Sequence, residues 1–277
     1  MKVVTNPSST KADLVSATST FYDPCGLATE VSVAARRLCR SLNIMAWDAN
    51  LPQDARAALR LWTTIVVSSD LSQPRALNLR SIYAFSDASG EVKACDIRDG
   101  DGHRITSRAK LFTTDEMVRW GTPRREMEAF ALACEHLDKT LTCLRRMNIY
   151  PESKKLYTDS QALLYRLRRE DTKDMTPHER RLAVRCKGLL KIWEVSVHHV
   201  KSAVNPADTP SRAYVNGKTA NMIAMKATEV MRGIESPIST EVGVYFDPNS
   251  EEDQNEDLSA LEPYAQHLNF ITLSGLD

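Results

Sequence analysis

The stretch Ile82-Tyr83-Ala84-Phe85-Ser86-Asp87-Ala88-Ser89 decides how this chain is read. Apolar and small residues run up to an aspartate, and small polar residues follow it. That is the pattern of a strand that ends on a carboxylate and leaves the sheet. The two segments after it repeat the extended character. Val92–Ile97 and His103–Leu111 flank Asp99-Gly100-Asp101-Gly102, a strong hairpin-turn signal.

Downstream, the period changes. Thr122-Pro123 opens a helix to about Met147, with the threonine as N-cap and the proline in the first turn. Lys154–Asp159 is a short strand and Ser160–Arg169 a short helix. Thr176-Pro177 opens a further helix to about Trp193, and Glu194–Val200 is a strand. Asn205-Pro206 turns the chain into a last helix over Ala207–Tyr214. The order β-β-β-α-β-α-α-β-α predicts an α/β domain over residues 77–214.

Upstream, Leu27–Ile44 and Asp54–Val67 carry spaced apolar residues, with breaks at Pro24, Gly26 and Pro52. Residues 13–76 therefore form a small helical segment, joined to the α/β domain through Ser72-Gln73-Pro74. Residues 1–12 form a disordered lead-in. Residues 215–277 form an acidic, partly disordered tail, with one helix over Thr219–Met231 and disorder over Glu251–Asp257.

Charge supports the same division. The chain has 277 residues with 36 basic and 36 acidic groups, yet residues 1–79 carry net +2, residues 80–214 net +6 and residues 215–277 net −8. A basic middle suits contact with a polyanion, although a soluble domain with a solvating tail would show the same asymmetry. No run approaches 18 apolar residues, so no membrane span is expected. Met1–Thr10 has no apolar core of a secretory signal, and the six cysteines form no C-x-x-C pair. Reduced thiols in the cytoplasm or nucleus are the expectation.

Four acids stand at element ends. Asp87 closes the first strand and Asp159 the fourth. Glu126 lies near the start of the long helix, in line with Phe130, Ala133, Leu137, Leu141 and Leu144. Asp208 opens the last helix. Helical phase puts Glu126 above a core-facing stripe, whereas Glu128 lines up with Glu135, Lys139 and Thr142 and reads as a solvated surface charge. Carboxylates gathered on rigid elements are what divalent-metal phosphodiester chemistry needs, because Mg²⁺ takes hard oxygen ligands. Taken singly, each acid also fits a turn, an N-cap or a first-turn charge.

Ser86-Asp87-Ala88-Ser89, Pro123-Arg124-Arg125-Glu126, Tyr157-Thr158-Asp159-Ser160 and Asn205-Pro206-Ala207-Asp208-Thr209-Pro210-Ser211-Arg212 follow one another in that order. Together they resemble the ribonuclease H domain of retrotransposon polyproteins, most closely the BEL/Pao type. Phe21-Tyr22-Asp23-Pro24-Cys25-Gly26-Leu27, Ala46-Trp47-Asp48, Leu51-Pro52 and Trp62 resemble the segment after the reverse-transcriptase palm in those elements. The resemblance covers about residues 12–214. It implies a ribonuclease H-like five-stranded mixed sheet flanked by helices. It implies hydrolysis of the RNA strand of RNA–DNA hybrids, leaving 5′-phosphate and 3′-hydroxyl ends. Asp87, Glu126, Asp159 and Asp208 would hold two Mg²⁺ ions, with Mn²⁺ as a substitute. Ser89, Ser160, Gln161, Lys201 and Arg212 would meet the nucleic acid, and other polyprotein segments would be partners. Neither a membrane nor a small-molecule cofactor is implied.

The chain departs from that pattern in places. Lys201-Ser202-Ala203-Val204 stands where cellular ribonucleases H carry a loop histidine, and the hairpin aspartates Asp96, Asp99 and Asp101 would weaken hybrid binding locally. No Tyr-x-Asp-Asp polymerase motif, aspartic-protease motif or His₂Cys₂ zinc module is present. Two other readings stay open. One is a catalytically inactive nucleic-acid-binding or scaffold remnant with this fold. The other is a transposase- or integrase-like core, whose third acid is usually a glutamate on a helix.

Overall fold

The computed structural model describes residues 10–68, 76–169, 173, 175–212 and 244–246. Residues 1–9 of the lead-in, the Ser72–Pro74 linker, the Thr219–Met231 helix and the acidic stretch 251–257 lie outside the described residues, whereas residues 10–12 of that lead-in are ordered, with Thr10 capping the first helix. Three helices come first: α1 (Lys11–Ser19), α2 (Thr29–Ser41) and α3 (Gln53–Ser68). A meander follows: β1 (Ser81–Ala88), β2 (Val92–Arg98) and β3 (Arg104–Leu111). Then come α4 (Thr114–Arg119), α5 (Thr122–Arg146), β4 (Ser153–Thr158), α6 (Gln161–Arg168), α7 (Pro177–Trp193), β5 (Ser196–His199), a 3₁₀ turn at Ser202–Val204, α8 (Asp208–Arg212) and β6 (Val244–Phe246).

The sheet order is β3-β2-β1-β4-β5-β6. The first three strands are antiparallel, while β1–β4 and β4–β5 are parallel. This is the mixed sheet expected from the sequence, extended by one antiparallel edge strand, β6 on β5. The parallel pairs put the ends of β1 and β4 side by side, because Ser86 lies opposite Thr158 in register. Asp87 and Asp159 therefore leave the sheet at the same edge.

One face packs on α5, α6 and α7. Ile82, Ala84, Cys95, Ile97, Leu156 and Val197 meet Met127, Phe130, Leu137, Leu141 and Leu190 there. On the opposite face Phe85 stacks on Tyr157 beside Val200 and Ala207, and Val33 of α2 covers Val92, Ala94 and Ala109. The helical segment has its own core of Leu14, Val31, Leu51, Leu59 and Trp62, and the Trp62 indole N–H donates to the Val31 carbonyl at 2.9 Å.

Local chemistry explains most boundaries. The Thr176 and Thr113 hydroxyls accept from Glu179 and Glu116 amides in capping boxes that start α7 and α4. The Thr113–Glu116 spacing was visible in the sequence, yet α4 was not expected. The N-cap of α5 is Gly121, not Thr122; the threonine is already helical, with Pro123 in the first turn. Of the three hairpin aspartates only Asp101 is exposed; Asp96 and Asp99 are turned inward. Asp99 is fully buried, and its carboxylate accepts the amides of Asn78, Asp101 and His103. Asp96 is fully buried between Arg98 and Arg104. Neither presents charge to a ligand.

The helical segment is tied to the sheet by a close approach at Gly26. Its φ is +70°, and a Cβ there would lie 1.9 Å from the Ser107 carbonyl oxygen. Thr29 donates to that same oxygen at 3.1 Å, and Ser107 N–H reaches the Cys25 carbonyl at 3.4 Å. Gly26→Ala combines a left-handed backbone with a backbone clash, so it should cost at least ~2 kcal/mol. Thermal unfolding checks this; an unchanged midpoint would mean the loop can lift off the sheet freely.

Candidate active site

Asp87 is the penultimate residue of β1, Asp159 directly follows β4, and Glu126 lies in the second turn of α5. Their carboxylate oxygens lie within 4.8 Å of one another. Each comes from a rigid element, and parallel pairing of β1 with β4 sets the separation. Such a cluster repels itself, and burial adds to that. Burial pushes the Asp87 carboxyl up to about 6, with the Asp159 and Asp208 charges adding, although the Ser211 hydroxyl and Arg212 oppose it. Burial, Asp87 and Asp159 push Glu126 up to about 8. Glu126 Oε2 is buried with no hydrogen-bond partner. An orphaned, buried carboxylate oxygen beside two other acids is a hard-oxygen donor set that could hold a cation.

Asp208 is placed differently. It opens α8, and its two oxygens accept from Arg212 Nε at 2.6 and 2.7 Å. Its charge reaches Asp87, but it does not join the 4.8 Å cluster. The structure thus brings together three of the four acids singled out in the sequence and sets the fourth beside them in an ion pair.

Two supporting residues were not singled out. Asn205 is buried; its Nδ2 donates to the Ser86 carbonyl at 3.0 Å and its Oδ1 accepts the Ala207 amide at 3.1 Å. It thereby clips the entry of α8 to the end of β1. Ser211, also buried, donates its hydroxyl to Asp87 Oδ2 in a short contact. Asn205-Pro206 was legible as a turn, but no local signal connects either residue with β1.

Glu128 is a correction. It is not solvated: it is 8% exposed, and its carboxylate binds Lys93 Nζ at 2.6 Å and His178 Nε2 at 2.8 Å. Burial works against its charge, but Lys93 and His178 outweigh it and hold the carboxyl below its ordinary range. The arrangement locks α5 to β2 and α7.

The residues expected to meet nucleic acid are scattered around this edge. The Ser89 hydroxyl accepts the Glu91 and Val92 amides, closing the β1–β2 turn. The Ser160 hydroxyl caps α6 by accepting the Leu163 amide. Gln161 is exposed at the start of α6, and Lys201 is exposed before the 3₁₀ turn. Arg212 is exposed and holds Asp208. His198 is buried against Tyr157, with Nε2 hydrogen-bonded to the Ser196 hydroxyl at 2.8 Å.

Sheet order and crossovers define a ribonuclease H-like fold, with an acidic cluster where the central strands end. The chain belongs to the Pao retrotransposon-like RNaseH-like domain family, whose pattern matches residues 10–160, from α1 through the Asp159–Ser160 corner. Among solved structures it is similar to the foamy viral protease-reverse transcriptase dRH in complex with ds DNA. There the identity is 12% and the TM-score 0.48, over 72% of this chain and 33% of that one. The same foamy viral enzyme in complex with RNA/DNA hybrid is 11% identical with a TM-score of 0.47, over 71% of this chain and 26% of that one. RNase H1 from the halophilic archaeon Halobacterium salinarum NRC-1 is 24% identical with a TM-score of 0.34, over 46% of this chain and 90% of that one. The chain spans about a third of the first of these foamy viral structures. No curated protein matches it. No helix among the described residues is long and apolar enough to cross a membrane.

Proposed function

We propose that this domain hydrolyses the RNA strand of RNA–DNA hybrids with divalent metal held by Asp87, Glu126 and Asp159, and with Asp208 as a fourth carboxylate. The observation that carries this reading is the partnerless, buried Glu126 Oε2 within 4.8 Å of two further acids. Hard oxygen donors and no nitrogen or sulfur suit Mg²⁺, or Mn²⁺ in its place. When bound, the metal supplies the Lewis acidity that activates water and steadies the leaving oxygen.

The chain's own residues have distinct tasks. Ser211 orients Asp87 through its hydroxyl, and Asn205 fixes the α8 entry against β1. The α5 backbone keeps Glu126 at the sheet edge, while Lys93 neutralises Glu128 two residues away and His178 hydrogen-bonds it, so it does not add to the repulsion. Arg212 holds Asp208 ready beside the cluster. Gln161 and Lys201, both exposed, are placed to meet the sugar-phosphate backbone, which would be read by its A-like shape. Other segments of a longer polyprotein fit as partners.

The ion pair between Arg212 and Asp208 also favours a second reading, an inactive remnant whose fourth acid is neutralised. A labelled RNA–DNA hybrid, incubated with Mg²⁺ or with EDTA beside double-stranded RNA, separates the two. Metal-dependent cutting of the hybrid's RNA strand alone is expected. Hybrid binding without cutting in Mg²⁺ or Mn²⁺ would overturn the hydrolase reading and support the remnant.

A further inference from the structure

We propose that a cationic cleft at the β3 edge, apart from the carboxylate cluster, binds backbone phosphates of the nucleic acid. The proposal rests on the nucleic-acid reading given above. The cleft encloses about 380 Å³ where α2 approaches β3 and α5. Arg36 enters from α2, Arg108 and Lys110 from β3, and His136 from α5.

Little negative charge answers the three cations Arg36, Arg108 and Lys110. Asp23 is the only acidic residue among the lining residues, and its oxygens are taken by the Leu27 and Ala28 amides at 2.8 and 2.9 Å. Glu135 acts on Lys110, but its carboxylate is held by Arg185 at 2.9 Å. Asp96 acts on His136 but is engaged by Arg98 and Arg104. Arg108 and Lys110 are exposed and form no ion pair among the described residues. The groups also weaken one another. Burial and then the Arg108 charge lower both Arg36 and Lys110, with Lys93 adding at Lys110. Burial, Arg108 and Lys139 push His136 down to about 4, so its ring is neutral and shares a 3.0 Å hydrogen bond with the Thr106 hydroxyl.

Cations gathered without counter-charge are stabilised by an anion that answers several of them together. A backbone phosphodiester does this with two non-bridging oxygens that share its charge, and guanidinium groups match their geometry. Position points to nucleic acid as the source. Lys93 and Lys110 are register partners, Arg108 lies two residues back along β3, and Lys93 binds Glu128 next to the cluster. This row leads from the carboxylates into the cleft. His136 is ten residues beyond Glu126 on α5, about 15 Å along the axis. That is well inside one duplex turn of about 34 Å.

The test measures affinity of the full chain for a labelled hybrid two helical turns long, in EDTA, across a salt series. Arg108→Ala with Lys110→Ala should weaken binding by about tenfold and flatten the salt dependence by about one to two phosphate contacts. Thermal unfolding should stay unchanged, because both side chains are exposed. Arg56→Ala with Arg60→Ala, exposed on α3, removes the same charge elsewhere and should have a much smaller effect. Equal affinity and slope in parent and Arg108/Lys110 variant would overturn the proposal. So would loss of inorganic tripolyphosphate binding in that variant with hybrid binding intact, which would assign the cleft to a free phosphate ligand. A parent protein that binds but never cuts, with the slope difference preserved, would overturn the hydrolase reading and leave this one supported.

Discussion

Glu126→Gln should abolish hybrid cleavage and yet raise the unfolding temperature of the metal-free protein at pH 8. Removal of groups that merely orient metal ligands costs ~10–100-fold, so loss of a ligand itself should exceed ~10²-fold. The stability effect has the opposite sign for a physical reason. Glu126 is pushed from its ordinary 4.5 up to about 8 by burial and by its neighbours Asp87 and Asp159. Between those two values the folded chain holds a proton that the unfolded chain has released. Stability is therefore undiminished by this group below about pH 4.5 and falls as pH rises through the window to about 8. The total is on the order of a few kcal/mol. Glutamine carries no charge and escapes that cost. Saturating Mg²⁺ should reverse the ranking, because it stabilises only the protein that binds it. Thermal unfolding of parent and variant at pH 5 and pH 8, each with EDTA and with Mg²⁺, gives the four comparisons needed. A variant less stable than the parent at pH 8 in EDTA would sink the picture of a self-repelling cluster.

Arg104→Ala should be the most damaging substitution away from the acids. The guanidinium is buried and binds Glu30 of α2 at 2.6 Å, Asp96 of β2 in a short contact, and the Leu27 carbonyl at 3.0 Å. Burial works against its charge, but Asp96 and Glu30 outweigh it and hold the group protonated. Truncation leaves Glu30 buried without its partner and Asp96 with Arg98 alone, a loss of about 3–5 kcal/mol. For a domain of this size that is roughly a 10 °C fall in midpoint. Adding Glu30→Gln and Asp96→Asn to Arg104→Met should recover part of the loss, because the cost lies in unpaired charge and not in missing volume. An Arg104→Ala midpoint within a degree or two of the parent would show that the helical segment is not latched to the sheet here. That segment is part of the unit that builds the β3 cleft, so the same variant also tests whether residues 13–76 and 77–214 act together.

Helix and strand identity was largely legible because the deciding signals are local. Thr176-Pro177 starts α7, Ser160 caps α6, and Asp99-Gly100-Asp101-Gly102 turns β2 into β3. The inward direction of Glu126 followed from helical phase alone, since Phe130, Ala133 and Leu137 share its stripe in the core. The same phase misled at Glu128. Its helix face is polar, yet β2 and α7 close over it and supply Lys93 and His178 as partners. Asp96 misled for a similar reason, because its partner Arg104 lies on another strand and is itself held by Glu30 of α2.

By itself, then, the sequence determined the order of the elements that build the sheet's first five strands and their helices, α4 apart, together with the four acids and the family resemblance. All are set by backbone preferences and side-chain periodicity within a few residues. Tertiary structure decided which charges meet. It placed Asp87, Glu126 and Asp159 together through the parallel β1–β4 pair and joined Asp208 to Arg212. It sent Ser211 to Asp87 across the chain and opened a cationic cleft between α2 and β3. Those outcomes depend on distances between segments far apart in the chain. Electrostatic energy in a partly buried site changes steeply with such distances, and no local pattern encodes them.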